Sequence, residues 1–440
     1  MSSPPLTPSV ELPRSSKGDR FLQTGTACEW SEEYRPNGLH PIHFGDTFKE
    51  NQYTVIRKLG NGAFSTVWLA LDKLKKRYAA LKVTTAKSSP SIDKELAIYQ
   101  QLSRDATSVI ISKYFVTLLD HFKMTGPNGT HQCLVYEPMG PTAASMRNHL
   151  GENKVLRPLE PRRYPKWMAK IILKQTLTGL EFLHKHGIVH SDLSPGNILF
   201  SIPSLDAMKE GRLKQNEAGT TDSLRRLDGK QDKWAPRYLA VGQSLHEYVN
   251  IGPNLQVKIS DLASAFFAHS PPKSVVTPLG LRAPELIFHE PAVDASIDIW
   301  AFGCLVYELL TGTALFCVES LGDEERDGAD DDHLLDLNDV LEPLPDAWLK
   351  KWERADKWFG TNRERLNPRA AETGDFKIEE IGDGPFINDP LETLFDQNKP
   401  KDIDATEAEV ITRLIRQTLQ YEPAKRPTAA QLLEHPWFRD

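Results

Sequence analysis

The chain has 440 residues, long for one compact domain, so two lobes or domains are expected. Hydrophobic residues are 40% and charged residues 26%, an ordinary soluble globular composition. The net charge of −7 argues against a general nucleic-acid binder and leaves room for a basic partner, and no apolar run approaches the length that spans a bilayer.

The first residues, "MSSPPLTPSVELPRSSKGDR", lack the apolar core of a secretory signal and read as a disordered tail over residues 1–26. Four cysteines (Cys28, Cys133, Cys304, Cys317) have no metal-ligand spacing and read as reduced thiols of an intracellular protein. "YTVIRKLGNGAFSTVWLALDKLKKRYAALKVTT" is rich in β-branched and aromatic residues. It predicts three antiparallel strands with turns at Gly60-Asn61-Gly62 and around Asp72–Arg77. "SIDKELAIYQQLS" predicts an amphipathic helix capped by Ser91, and "FVTLLDHF" and "QCLVYEPM" two more strands. After Met139 the character changes. "RYPKWMAKIILKQTLTGLEFLHKHG" has apolar residues at helical spacing and stops on Gly187. "DIWAFGCLVYELLTG" and "EAEVITRLIRQTLQ" are further apolar helices. Two segments break the pattern. Residues 201–253 are polar, and a structureless loop of that length suggests a functional or disordered insertion. Residues 319–333, "ESLGDEERDGADDDH", read as a solvated acidic run.

Several short motifs could carry chemistry. Gly60 and Gly62 in "LGNGAFSTVWLA" sit in a strand-turn-strand, where glycine lets backbone N–H groups approach phosphate oxygens, though a plain turn explains such a pair equally. Lys82 in the apolar strand "YAALKV" needs an anionic partner if buried, with Glu95 on the next helix the candidate. It could instead lay its stem on the core and reach water. "VHSDLSPGNILF" holds Asp192 and Asn197 around a Pro-Gly turn between apolar segments, and "VKISDLASA" ends a strand at Asp261. Each acid alone reads as a turn or cap residue. Taken in order, they form the sequence of motifs of a protein kinase. Phosphoryl transfer needs the phosphates fixed, metal ions held by hard oxygen ligands, and the attacking hydroxyl oriented by a carboxylate.

The chain resembles protein kinases over roughly residues 45–440, and among them the SR-protein kinases. "EEYRPNGLHPIHFGD", "IRKLGNGAFSTVWLA" with Ser65 for the third glycine, "SDLASA", and "DDHLLDL" carry the likeness, as does the place of the 201–253 insertion. The resemblance implies an α+β bilobal fold, with a β-rich N-lobe and its lead-in over residues 27–139 and a helical C-lobe over 140–440. It implies ATP and Mg²⁺ as cofactors. Leu59, Gly60, Asn61, Gly62, Val67, Ala80, Lys82, Glu95, Glu137 and Met139 would hold the nucleotide, with Tyr136 as gatekeeper. Lys82 would pair with Glu95, Asp192 would orient the substrate hydroxyl, and Asn197 and Asp261 would bind the metal. Glu285 of "LRAPELI" would pair with Arg426 as an architectural bridge. Asp332 and Asp339 match acidic docking positions for an Arg/Ser-rich protein substrate, while a third such position is Thr313 here. A monomer is expected, with no direct nucleic-acid or membrane contact, in the cytoplasm or nucleus.

Two departures bear on activity. The common H-R-D is "HSD", with Ser191 in place of Arg, so no charged pair to a phosphorylated loop residue (Ser264, Ser270, Ser274 or Thr277) is expected. Ser194 stands where most such kinases carry a Lys. Beside the SR-kinase reading, a kinase with another substrate and a pseudokinase scaffold stay open.

Overall fold

In the computed structural model, which describes residues 19–88, 92–105, 108–150, 162–318, 326–366 and 385–439, the chain divides into two units. The first runs up to Met146 and takes in Ile198–Ala263. The second comprises Arg147–Asn197 and Ser264 onward. The division expected after Met139 thus falls after Met146, and residues 201–253, expected in the second lobe, belong to the first unit.

The first unit is built on a six-stranded antiparallel sheet. Its strands are β1 (Thr47–Phe48), β2 (Tyr53–Gly62), β3 (Ser65–Asp72), β4 (Arg77–Thr84), β5 (Leu118–Gly126) and β6 (Gly129–Tyr136), in the order β1-β2-β3-β4-β6-β5. The three strands expected from Tyr53 to Thr84 are present, with turns near the expected places. Tyr53, Val55, Trp68, Ala70, Leu81, Val83 and Val135 form one core on this sheet. Alternation along a pleated strand sends these side chains to one face. Helix α1 (Ile92–Asp105) follows β4, and α2 (Ser108–Tyr114), which the sequence reading did not anticipate, follows it. The proposed cap Ser91 lies outside the described residues.

The lead-in and the insertion are folded parts of this unit. Phe21 is buried and bridges Arg226, and Arg20 pairs with Glu32 and Asp232, so residues 19–26 are packed and not tail. Residues 221–223 pair with 238–240 as a small antiparallel ribbon. Ala240 joins the sheet core, while Leu205, Leu213 and Leu245 join a second core with Ile56, Leu69 and Tyr78. The expected structureless loop is therefore ordered. Its few apolar residues, widely spaced in sequence, each fill a place on the sheet.

The second unit is helical. α3 (Lys166–Lys185) runs into Gly187, whose φ of +65° suits glycine. α4 (Ser296–Thr311) is buried over most of its length and ends on Gly312 at φ +84°. α5 (Arg326–Val340) turns the second half of the supposed acidic loop into helix. α6 (Ala405–Thr418) starts where the Asp404 side chain accepts from the Glu407 N–H at 2.8 Å.

Candidate active site

In the first unit the glycine-rich segment is the end of β2 and its turn. Gly60 faces Val67, Asn61 faces Thr66 and Gly62 faces Ser65, after a bulge between Lys58 and Gly60. A Cβ built on Gly60 meets nothing within 4 Å, and on Gly62 only Ser65 Oγ at 3.9 Å. Neither residue has a positive φ. Packing and backbone strain therefore do not demand glycine there. Close approach of a bulky anion to the backbone remains as the physical reason.

Lys82 lies on β4 opposite Val67 and Leu134. Its ammonium is 2.8 Å from Asp261 Oδ1. The expected partner, Glu95 on α1, is fully buried and accepts instead from the Tyr136 hydroxyl at 2.9 Å. Its other oxygen, Oε2, has no hydrogen-bond partner among the described residues. Burial raises the Glu95 pKa and the nearby Lys82 charge opposes that rise. The pairing differs from expectation because the Tyr136 hydroxyl already holds Glu95, while Asp261 offers Lys82 a partly exposed carboxylate. Asp261 adopts φ +61° just past the strand Val257–Ile259.

The segment after β6 is tied from behind. Glu137 N–H donates to Thr117 O at 3.1 Å, and its carboxylate accepts from Thr117 N–H at 2.8 Å and Lys258 Nζ at 2.6 Å. Gly140 N–H donates to Phe200 O at 2.8 Å. The Glu137 carbonyl and the Met139 N–H take part in no such backbone bond of the described structure. They are the groups expected to meet adenine. Ala80 faces Leu69 and Tyr136 on the same sheet.

In the second unit the loop after the strand Ile188–Val189 is braced by Asp298. Its buried carboxylate accepts from His190 N–H and Ser191 N–H at 2.8 Å each and contacts His184 Nε2 at 2.9 Å. Burial would raise the Asp298 pKa. The His184 ring and these donors outweigh that and hold it below the usual range. Ser191 takes φ +65°. Asn197 Nδ2 donates to Asp192 O at 2.7 Å and Asp192 Oδ2 at 2.9 Å. With its nitrogen facing Asp192, Asn197 presents its carbonyl oxygen as the atom for a cation. Asp261 supplies a carboxylate in the first unit, and an amide oxygen and a carboxylate are each hard ligands of the kind Mg²⁺ takes. Ser191 Oγ donates to Ser264 O at 2.9 Å, and Thr277 Oγ1 to Ser191 O at 2.8 Å. Asp298 and Thr277 were not singled out for these roles. The signal for Asp298 is an acid inside an apolar helix, which a protein keeps only if paired.

Glu285 and Arg426 form the expected bidentate pair, at 2.5 and 2.7 Å, both buried, with Arg426 over the Trp300 ring. The acidic run is mostly engaged where it is described. Asp331 is buried and accepts from Trp352 Nε1 at 2.6 Å and Arg354 Nε at 2.8 Å, and Asp330 pairs with Arg282. Asp339 is 3% exposed and pairs with Arg365 at 2.7 Å. Asp332 is exposed. Between them Asp336 has a pKa pushed up to about 6 by burial and by Asp339 and Asp332. Asp323, Glu324 and Glu325 lie outside the described residues.

The chain matches the protein kinase domain family over residues 53–216 and 247–438. It is 32% identical to a serine/threonine-protein kinase SRPK of Physarum polycephalum, covering 97% of this chain and 94% of that one. It is 27% identical to protein kinase dsk1 of Schizosaccharomyces pombe, with 94% and 85% covered, and 24% identical to human SRSF protein kinase 3, with 92% and 89% covered. A crystal structure of a kinase domain superposes with a TM-score of 0.57 at 22% identity, over 90% of this chain and 98% of that one.

Proposed function

We propose, from the premise that this chain belongs to the SR-protein kinase family of protein serine/threonine kinases, that it transfers the ATP γ-phosphoryl group to serines in Arg/Ser-rich segments of proteins. The observation that carries the chemistry is the Asp192–Asn197 loop, braced from below by the buried Asp298. Asp192 orients the substrate hydroxyl and accepts its proton. Asn197 and Asp261 are the residues that would hold Mg²⁺, which would supply positive charge to offset that of the phosphates. Lys82 contacts the phosphates, and the N–H groups around Gly60 and Gly62 cradle them. Glu137 and Met139 meet adenine through the backbone groups described above.

The substrate reading leans on the exposed Asp332 and the half-buried Asp336. Both suit a flexible polycation, which needs acidic surface along its path. A second substrate class, with fewer basic residues, is favoured by two observations. Asp339 is already matched by Arg365, and Thr313 replaces a third acidic position. A kinase assay with MgATP, comparing an Arg-Ser repeat peptide with myelin basic protein, separates the two. Preference for the repeat peptide in kcat/KM supports the first, and equal or reversed preference the second.

A further inference from the structure

We propose that residues 213–243 of the insertion are a positioning element of the nucleotide clamp, acting on β2 through Gln215 and Gly242. The inference rests on the reading of Gly60 and Gly62 as a phosphate cradle.

Strand β1 covers the outer edge of β2 only at Tyr53 and Thr54. From Ile56 onward that edge would expose unpaired backbone groups. The insertion takes them up. Gln215 N–H donates to Ile56 O at 2.9 Å, Lys58 N–H donates to Gln215 Oε1 at 3.0 Å, and Gln243 N–H donates to Lys58 O at 2.8 Å. The Gln215 amide in turn donates to Val241 O at 3.0 Å and Thr220 Oγ1 at 3.1 Å, which ties the two arms of the insertion together.

The side chains of β2 lock in the same direction. Arg57 Nε donates to Leu213 O at 2.7 Å. Lys58 is fully buried, pairs with Glu29, and donates to Ala240 O at 2.8 Å. A buried ammonium is tolerated only with such partners. Two residues on, Gly242 lies against the clamp itself. A Cβ there would come 3.1 Å from Gly60 Cα and 3.3 Å from Leu59 O. Gly242 does not have a positive φ, so a side chain there would act by pressing on Gly60, which would have to give by a few tenths of an ångström.

These contacts fall on both sides of the Lys58–Gly60 bulge, which sets where the following N–H groups point. An edge strand released at Lys58 would leave Gly60 free to swing, and an anion bound to its backbone would lose a preorganised site. The insertion thus acts on nucleotide binding through Gly60 and not through substrate contact. Gln215 and Gly242 are positioning residues.

The test uses the full chain with Gln215→Ala, Gly242→Ala and Gly242→Val, and Asp228→Ala in the same insertion as control. Four quantities are measured: MgADP affinity by calorimetry, KM for ATP, kcat and Tm. In Gln215→Ala the Kd for MgADP and the KM for ATP are expected to rise together, by roughly threefold to tenfold, the factor of one ordinary hydrogen bond. Gly242→Val should exceed Gly242→Ala. The KM for the protein substrate should be unchanged, and kcat unchanged or higher where nucleotide release limits turnover. Hydrogen exchange over residues 57–63 should quicken. Should Gly242→Val fail to fold, Gln215→Ala and Gly242→Ala decide. Wild-type MgADP affinity in these two, with Tm near that of the unsubstituted chain, overturns the inference. A parallel loss for nucleotide and protein substrate overturns it equally. Failure of the unsubstituted chain to bind MgADP would overturn the cradle reading first, and this inference with it.

Discussion

At the scale of single residues, the proposed catalytic loop is held by hydrogen bonds at both its ends. Asp192 accepts from Asn197 and directly follows His190 and Ser191, whose backbone N–H groups are fixed by Asp298. Asp192→Asn keeps the size of the side chain and removes the base. It is expected to lower kcat by about 10²–10⁴-fold with Tm unchanged within a few degrees, checked by a steady-state assay and a thermal melt. Activity close to wild type would remove Asp192 from the mechanism. Thr277 belongs to the same scale. The sequence offered it as a phosphorylation site, yet it is buried and its hydroxyl donates to Ser191 O. Ser191 replaces the arginine that could pair with a loop phosphate, so charge-assisted ordering through that position is lost. Phosphatase-treated protein is therefore expected to keep its activity. Thr277→Val leaves the Ser191 carbonyl without this donor and should cost about 1–3 kcal/mol, read by denaturant unfolding.

At the scale of elements, helix α5 shows how an acidic stretch is made to fold. Asp331 and Asp339 are matched by Arg354 and Arg365, but Asp336 is flanked by both Asp332 and Asp339 and is pushed up to about 6. That lies above the ordinary 3.8, so the folded chain holds this proton more tightly than the unfolded chain. The stabilisation is present in full below about pH 4 and is lost as pH rises through about 6. With allowance for partial exposure, the loss is about 1–2 kcal/mol. Asp336→Asn is expected to raise Tm by several degrees at pH 8 and leave it unchanged at pH 4. Equal shifts at both pH values would assign the effect to something other than this charge. The short helix Pro284–Ile287 gives the opposite case. Its Glu285 and Arg426 are both buried, and Arg426→Ala leaves a carboxylate without its cation. A loss of about 3–5 kcal/mol is expected, measured by urea unfolding.

At the scale of the whole molecule, a net charge of −7 meets a substrate proposed to be a polycation. Exposed charges act over about 10 Å at 0.1 M salt. The KM for an Arg-Ser peptide is therefore expected to rise with salt while kcat holds, since docking binds ground state and transition state alike. Asp332→Ala should raise that KM at low salt more than it does for a singly basic peptide. Equal changes for the two peptides would take Asp332 out of docking.

The chain alone determined the family-level chemistry. Lys82, Asp192, Asn197 and Asp261 lie in local motifs whose spacing is dictated by one turn or one strand end, and α3, α4 and α6 follow from apolar periodicity within single segments. The Glu285–Arg426 pair was reachable for the same reason, because each partner sits in a recognisable motif. Only the tertiary structure decided the rest. The insertion looked structureless because its apolar residues, Leu205, Leu213, Ala240 and Leu245, show no period of their own. They are spaced to fit a sheet made by other parts of the chain. Lys82 met Asp261 rather than Glu95 because the Tyr136 hydroxyl, from another strand, already holds Glu95. Asp331 read as solvated charge, and Asp339 as a docking acid, until Arg354, Trp352 and Arg365, up to 26 residues away, were folded against them. Side-chain pairing between distant segments is set by packing, and packing has no signature in local spacing.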